Sequence, residues 1–184
     1  MKLGKAAALG AAAAVAALVL GCKSMAPAPE ARKYKDGEMV VPADYKYWPK
    51  KFTEIQRPDL KQIREVWVND VGVKAKGSGA IPNGYVSVME LWSAGENADG
   101  TLMKGADGKL VKGKLLKVFV MAKGPGWGES VTPADLRTGD WVYSAFLPDL
   151  KTAAPDSPLA CRSCHLPQKE NDFMFRFNDY FRKS

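Results

Sequence analysis

Tyr85-Val86-Ser87-Val88-Met89-Glu90-Leu91-Trp92 is the stretch on which the fold turns. It follows Pro82-Asn83-Gly84, a turn signal, and is rich in valine and aromatic residues, so it reads as a strand. A period of two puts Tyr85, Ser87, Met89 and Leu91 on one face and Val86, Val88, Glu90 and Trp92 on the other. Lys114 to Lys123 is the next strand, pairing back on the first across a long hairpin. The connection, Gly95 to Gly113, holds Asp99-Gly100 and Asp107-Gly108, which read as turns. They do not form a calcium loop, because Thr101 stands where a ligand would be needed.

Working outward, Ile63 to Asn69 (around Val66-Trp67-Val68) and Trp141 to Leu147 read as two further strands, the second entered through Thr138-Gly139-Asp140. Gly124-Pro125-Gly126-Trp127-Gly128 interrupts the pattern but has neither spacing of a phosphate-binding loop. Tyr45, Trp48 and Phe52 fall at helical spacing around Pro49, which predicts a short or kinked helix over Asp44 to Phe52. The expected fold is α+β: a predominantly antiparallel sheet with short helices at both ends, the last carrying Cys161 to His165.

The N-terminus lies outside that fold. Lys2 and Lys5 precede an uncharged, alanine-rich run, Ala6 to Leu20, which is the layout of a secretory signal. The run is short for a helix that must cross roughly 30 Å of hydrocarbon. Its end, Leu18-Val19-Leu20-Gly21-Cys22, resembles the lipobox of bacterial lipoproteins, in which the cysteine is lipidated and the signal is cut before it. Residues 1–21 are therefore expected to be a lipoprotein signal peptide and Cys22 the lipidation site. Residues 22–37, with their prolines and charges, are expected to be a flexible tether, and 38–184 one domain. The exported chain is expected on a bacterial membrane facing the periplasm, held through its N-terminal lipid. Lys23 after the cysteine suits outer-membrane sorting in some Gram-negative bacteria. The formal charge is +7, with 27 Lys and Arg against 20 Asp and Glu, but it is spread along the chain. Together with the export signal, this argues against nucleic acid as a partner.

Three cysteines and one histidine are all the chain has of these types. Cys161-Arg162-Ser163-Cys164-His165 is the attachment motif for c-type haem. Two thiols at this spacing add across the two vinyl groups of one haem, and the adjoining His165 supplies the axial nitrogen to iron. Ser157 and Pro158 suit the N-cap and first position of a helix that carries the motif. A structural zinc site would need ligands the chain lacks, and a redox Cys-x-x-Cys normally opens a helix after a βα unit near the chain start. One covalent haem c is expected, with Cys161, Cys164 and His165 as its attachment and axial residues. The sixth position is open, water-filled or taken by a residue from the β region, such as Met89, Met121 or a lysine. Met174 follows His165 too closely to reach the other side. Phe173, Phe177, Tyr180 and Phe181 fall at helical spacing and are expected to pack over the haem edge or the sheet.

In order along the chain, Val66-Trp67-Val68-Asn69, Ile81-Pro82-Asn83-Gly84 with Val86 to Glu90, Val120-Met121-Ala122-Lys123, Gly139-Asp140-Trp141 and Cys161 to His165 with its aromatic tail resemble the cytochrome P460 / cytochrome c′-β family. The resemblance spans most of residues 42 to 184. It implies a homodimer, haem packed on an antiparallel sheet, His165 as proximal ligand and a distal pocket lined from the strands. It also implies a small nitrogen-containing partner, with two branches. One oxidises hydroxylamine and carries a lysine cross-linked to the porphyrin; the other binds nitric oxide without a cross-link. Whether the chain is an enzyme depends on the branch, and the resemblance names no redox partner. Met89 stands where many members have a lysine before a glutamate. If that lysine is the cross-linking one, Met89 argues against a cross-link, with Lys74, Lys76 and Lys123 as the remaining substitutes. Glu90 is a candidate distal proton-transfer group, although a lone strand carboxylate is more often exposed. The alternative function is membrane-tethered electron transfer by a six-coordinate haem.

Overall fold

Five antiparallel strands follow one another along the chain and lie side by side in the same order. They are β1 (Lys51–Arg57), β2 (Gln62–Val68), β3 (Val86–Ala94), β4 (Lys112–Lys123) and β5 (Trp141–Phe146). The computed structural model describes residues 32–48 and 51–182. The expected signal peptide, Cys22 and most of the expected tether lie outside the described residues, as does Pro49. Among the described residues no helix is long and apolar enough to cross a membrane.

The register confirms the alternation read from Tyr85 to Trp92. Met89 lies opposite Val66 of β2 and Phe119 of β4, while Val88 lies opposite Trp67 and Val120. The sheet therefore has two distinct faces. The near face carries Arg64, Val66 and Val68 of β2, Ser87, Met89 and Leu91 of β3, Phe119 and Met121 of β4, and Trp141, Tyr143 and Ala145 of β5. The far face carries Trp67, Val88, Glu90, Val118, Val120 and Phe146, and Tyr45 packs against it.

Part of the near face is closed by three short helices, α1 (Asp70–Lys74), α2 (Pro158–His165) and α3 (Phe177–Tyr180), together with the C-terminal tail. Val68, Tyr85, Met121, Trp141, Tyr143 and Phe181 form the buried cluster there, with Phe173, Met174 and Phe177 against it. α1 begins at Asn69, whose Oδ1 accepts the N–H of Gly72 at 3.2 Å. Gly72 allows the helix to sit directly on the sheet: a Cβ there would come within 2.3 Å of Val68 Cγ1.

Three expectations need correction. Helices are not confined to the two ends, since α1 lies between β2 and β3. Among the described residues of Asp44 to Phe52 only Tyr45–Tyr47 is helical, as a single 3₁₀ turn, and Phe52 belongs to β1. The expected tether also ends too late, because Asp36 and Gly37 dock on β5. Gly37 donates its N–H to the Tyr143 carbonyl at 2.8 Å, and Tyr143 donates its own to Asp36 Oδ1 at 3.0 Å.

Candidate haem site

α2 starts where Ser157 Oγ accepts the Leu159 N–H at 3.2 Å, with Pro158 in the first turn. Cys161 and Cys164 are three residues apart on this helix and so share one side. Cys161 is half-buried and packs against the near-face cluster, whereas Cys164 is exposed. Burial, with the Asp156 carboxylate nearby, pushes the Cys161 thiol up. A protonated thiol is the opposite of what an activated redox pair requires.

Between the two cysteines Arg162 turns inward and is fully buried. Its guanidinium donates from Nε to Asp36 Oδ2 (2.7 Å) and from Nη2 to Asp36 Oδ1 (2.9 Å). It also donates from Nη1 to Thr138 Oγ1 (2.9 Å) and from Nη2 to the Trp141 carbonyl (2.8 Å). A buried charge is tolerated only when paired and hydrogen-bonded, and here both conditions hold. The contact rivets the motif helix to β5 and to the segment that precedes the domain.

His165 ends α2. Its Nδ1 lies 2.7 Å from the Phe173 carbonyl oxygen, so Nδ1 carries the proton and donates it. That leaves the lone pair on Nε2, which has no partner among the described residues. The ring lies between Tyr143 (5.3 Å between centroids) and Phe175 (5.0 Å, edge-on). Burial holds the imidazole below its ordinary value of 6.5, partly offset by the Phe173 carbonyl, so it is neutral at pH 7. A neutral, hydrogen-bonded imidazole with one free nitrogen is a ready metal ligand. Asp172 and Phe173 deliver that carbonyl by adopting left-handed backbone angles (φ 50° and 57°). Such angles are costly for a phenylalanine and tend to persist where function needs them. Lys123 and Trp141 hold the turn: Nζ of Lys123 is 2.5 Å from Asp172 Oδ2, and Nε1 of Trp141 is 3.0 Å from the Asp172 carbonyl.

Farther along the same sheet face, Met89, Leu91 and Phe119 are half-buried and, among the described residues, join none of the three hydrophobic clusters. Two helical thiols, one free imidazole nitrogen and an unpacked apolar surface are the set a c-type haem needs, so these residues fit the group. Among the described residues no cluster of three or more His, Cys, Asp or Glu is gathered for a bare metal ion. The sequence profile of the cytochrome P460 family matches residues 42–176. The chain belongs to the cytochrome P460 family. It is thus a member of a family of haem proteins. No curated protein matches it.

The other expected site residues separate. Met89 lies on the open stretch. Met121 is buried in the core with Tyr85, Trp141, Tyr143 and Phe181. Lys123 is committed to Asp172 and to the Ile81 carbonyl (2.9 Å), while Lys74 and Lys76 are exposed. Glu90 does not match either of its expected placements. It is buried rather than exposed, and it lies on the far face, away from the motif. There it accepts hydrogen bonds from Tyr45 Oη (2.5 Å) and Trp92 Nε1 (3.0 Å) and pairs with Lys46. Burial and the Glu90 carboxylate together push the Tyr45 phenol far up. A carboxylate so enclosed has no route to the haem side. Asp36 and Arg162 are the positioning residues that sequence reasoning missed. Only an arginine that could not be solvated would have signalled them, and the motif gives no such sign.

Proposed function

We propose that the chain is an exported, lipid-anchored monohaem c-type protein that binds small nitrogen compounds, nitric oxide first among them, at an open sixth position. One observation carries this reading: His165 is fixed through Nδ1, with Nε2 unpartnered among the described residues, and packs on Tyr143 of the sheet face that also carries the half-buried, apolar Met89, Leu91 and Phe119. Cys161 and Cys164 would hold the porphyrin as two thioethers, and His165 Nε2 would ligate the iron. When bound, the haem supplies an iron centre that coordinates neutral diatomics and exchanges one electron. The Phe173 carbonyl keeps the proton on Nδ1 and raises the basicity of Nε2. Met89, Leu91 and Phe119 exclude water, which favours a neutral ligand over a hydrated one. Met89 in the place of a lysine, and Lys123 already paired, support the branch without a cross-link over hydroxylamine oxidation. Cys22 carries the lipid, the protein faces the periplasm, and it works as a homodimer.

Met89 also supports a second reading, in which its thioether closes the sixth position and the protein transfers electrons. The visible spectrum of the ferrous protein with and without carbon monoxide separates the cases. An ordinary Soret band that shifts at once on adding the gas supports the open site. A band far to the red before any gas is added indicates a cross-link. No response to the gas, restored by Met89→Ala, establishes the methionine-ligated electron carrier.

A further inference from the structure

Arg64 lies on the near face, in register with Ile55 of β1 and Leu91 of β3, at the edge of the uncovered apolar stretch. Its Nε is buried without a hydrogen-bond partner, and among the described residues the side chain forms no ion pair. Its neighbour Arg57 shows the usual alternative, gripping Asp59 with Nε and Nη2 at 2.9 and 2.6 Å. Asp59 is thereby taken by Arg57, and the Arg64 guanidinium has no carboxylate partner among the described residues. Arginine does not lose its proton in proteins, so the charge cannot be relieved by titration. Gln62 is two residues away on the same face, and its Oε1 is also buried and unpartnered. Turning that amide end for end leaves its shape unchanged and presents N–H donors instead. The Cys164 thiol of the haem motif lies within electrostatic reach of Arg64.

We infer that Arg64, assisted by Gln62, is the receptor for an oxyanion on the haem side of the sheet. The inference rests on the haem reading above. The shared chemistry is a planar oxyanion that a guanidinium fork can accept. It comes either from a carboxylate of the haem itself or from a small anion such as nitrite held beside the iron.

The test uses the full-length, haem-loaded protein and the variants Arg64→Leu and Arg64→Gln, with the exposed, paired Arg57→Leu as control. Mass spectrometry first establishes covalent haem in the wild type; its absence there would overturn the haem reading and this inference together. Nitrite and neutral imidazole are then titrated against the ferric protein, and the propionate bending band is followed by resonance Raman scattering. With a small-anion source, both Arg64 variants weaken nitrite about tenfold or more and leave imidazole unchanged, as loss of a charge-assisted hydrogen bond requires. With a haem carboxylate, the propionate band moves in both Arg64 variants and not in Arg57→Leu, while the nitrite-to-imidazole ratio stays constant. Loaded Arg64 variants that match Arg57→Leu in both measurements overturn the inference and leave the haem reading standing.

Discussion

The two faces of the sheet solve opposite problems. On the far face two buried carboxylates, Glu90 and Glu65, each have a lysine partner, Lys46 and Lys112. Each lysine also lies over an indole, Trp67 at 4.3 Å and Trp92 at 4.7 Å. Apart from Ser144 Oγ, no buried side-chain polar atom on that face lacks a partner among the described residues. The near face is equally closed around Tyr143 and Phe181, then, among the described residues, leaves the half-buried Met89, Leu91 and Phe119 outside every cluster and Arg64 without an ion pair. The far face is complete as protein. The near face is complete only up to the Cys161–His165 helix, and the remaining part is where the proposed haem would lie.

This contrast can be broken by substitution. The largest effect is expected at the rivet between the two parts of the near face. Arg162→Leu strands Asp36 and should lower unfolding stability by about 3–5 kcal/mol, measured by denaturant titration, and reduce the yield of haem-loaded protein. Glu90→Leu, on the far face, should cost about 2–3 kcal/mol, less than a fully enclosed pair because Lys46 is half-exposed. Its visible spectrum and carbon monoxide binding should be unchanged; a change in either would mean that the faces are not separate. Leu91→Ala should show the reverse pattern, with about 1 kcal/mol or less of stability lost and a clear change in carbon monoxide association rate.

The smallest effect should appear with pH. The folded chain holds His165 below 6.5, its unfolded value, because of burial. The unfolded state therefore takes up the extra proton first as pH falls through 6.5, and stability drops from there until the folded group also protonates. Urea titrations of a Cys161→Ala/Cys164→Ala chain should show this acid-side loss, and adding His165→Gln should remove it.

Strands β2 to β5 and the helix that opens at Ser157 were legible because their information is local: alternation of period two, Gly-containing turns, and a capping serine followed by proline. β1 was not legible. Thr53-Glu54-Ile55-Gln56-Arg57 is an edge strand with polar residues on both faces, and Tyr45, Trp48 and Phe52 imitate a helix just before it. Glu90 looked exposed because its enclosure comes from Tyr45 and Lys46, far away in sequence. Asp36 looked like part of a tether for the same reason: its partner Arg162 is 126 residues away. In each case a residue's neighbours in space, not in sequence, decided whether a charge met water.

The Asp36–Arg162 contact also changes what a membrane anchor would do. With a lipid on Cys22, as proposed, the stretch from Cys22 to Asp36 spans at most about 50 Å even when fully extended, and within it Lys33 and Tyr34 already touch Glu129 and Trp127. It does not end at some remote corner of the domain but on the helix that holds Cys161 and Cys164. The haem motif would stay in a thin layer above the bilayer, and a pull on the lipid would reach the motif helix through Asp36 once the contacts of Lys33 and Tyr34 with Glu129 and Trp127 give way.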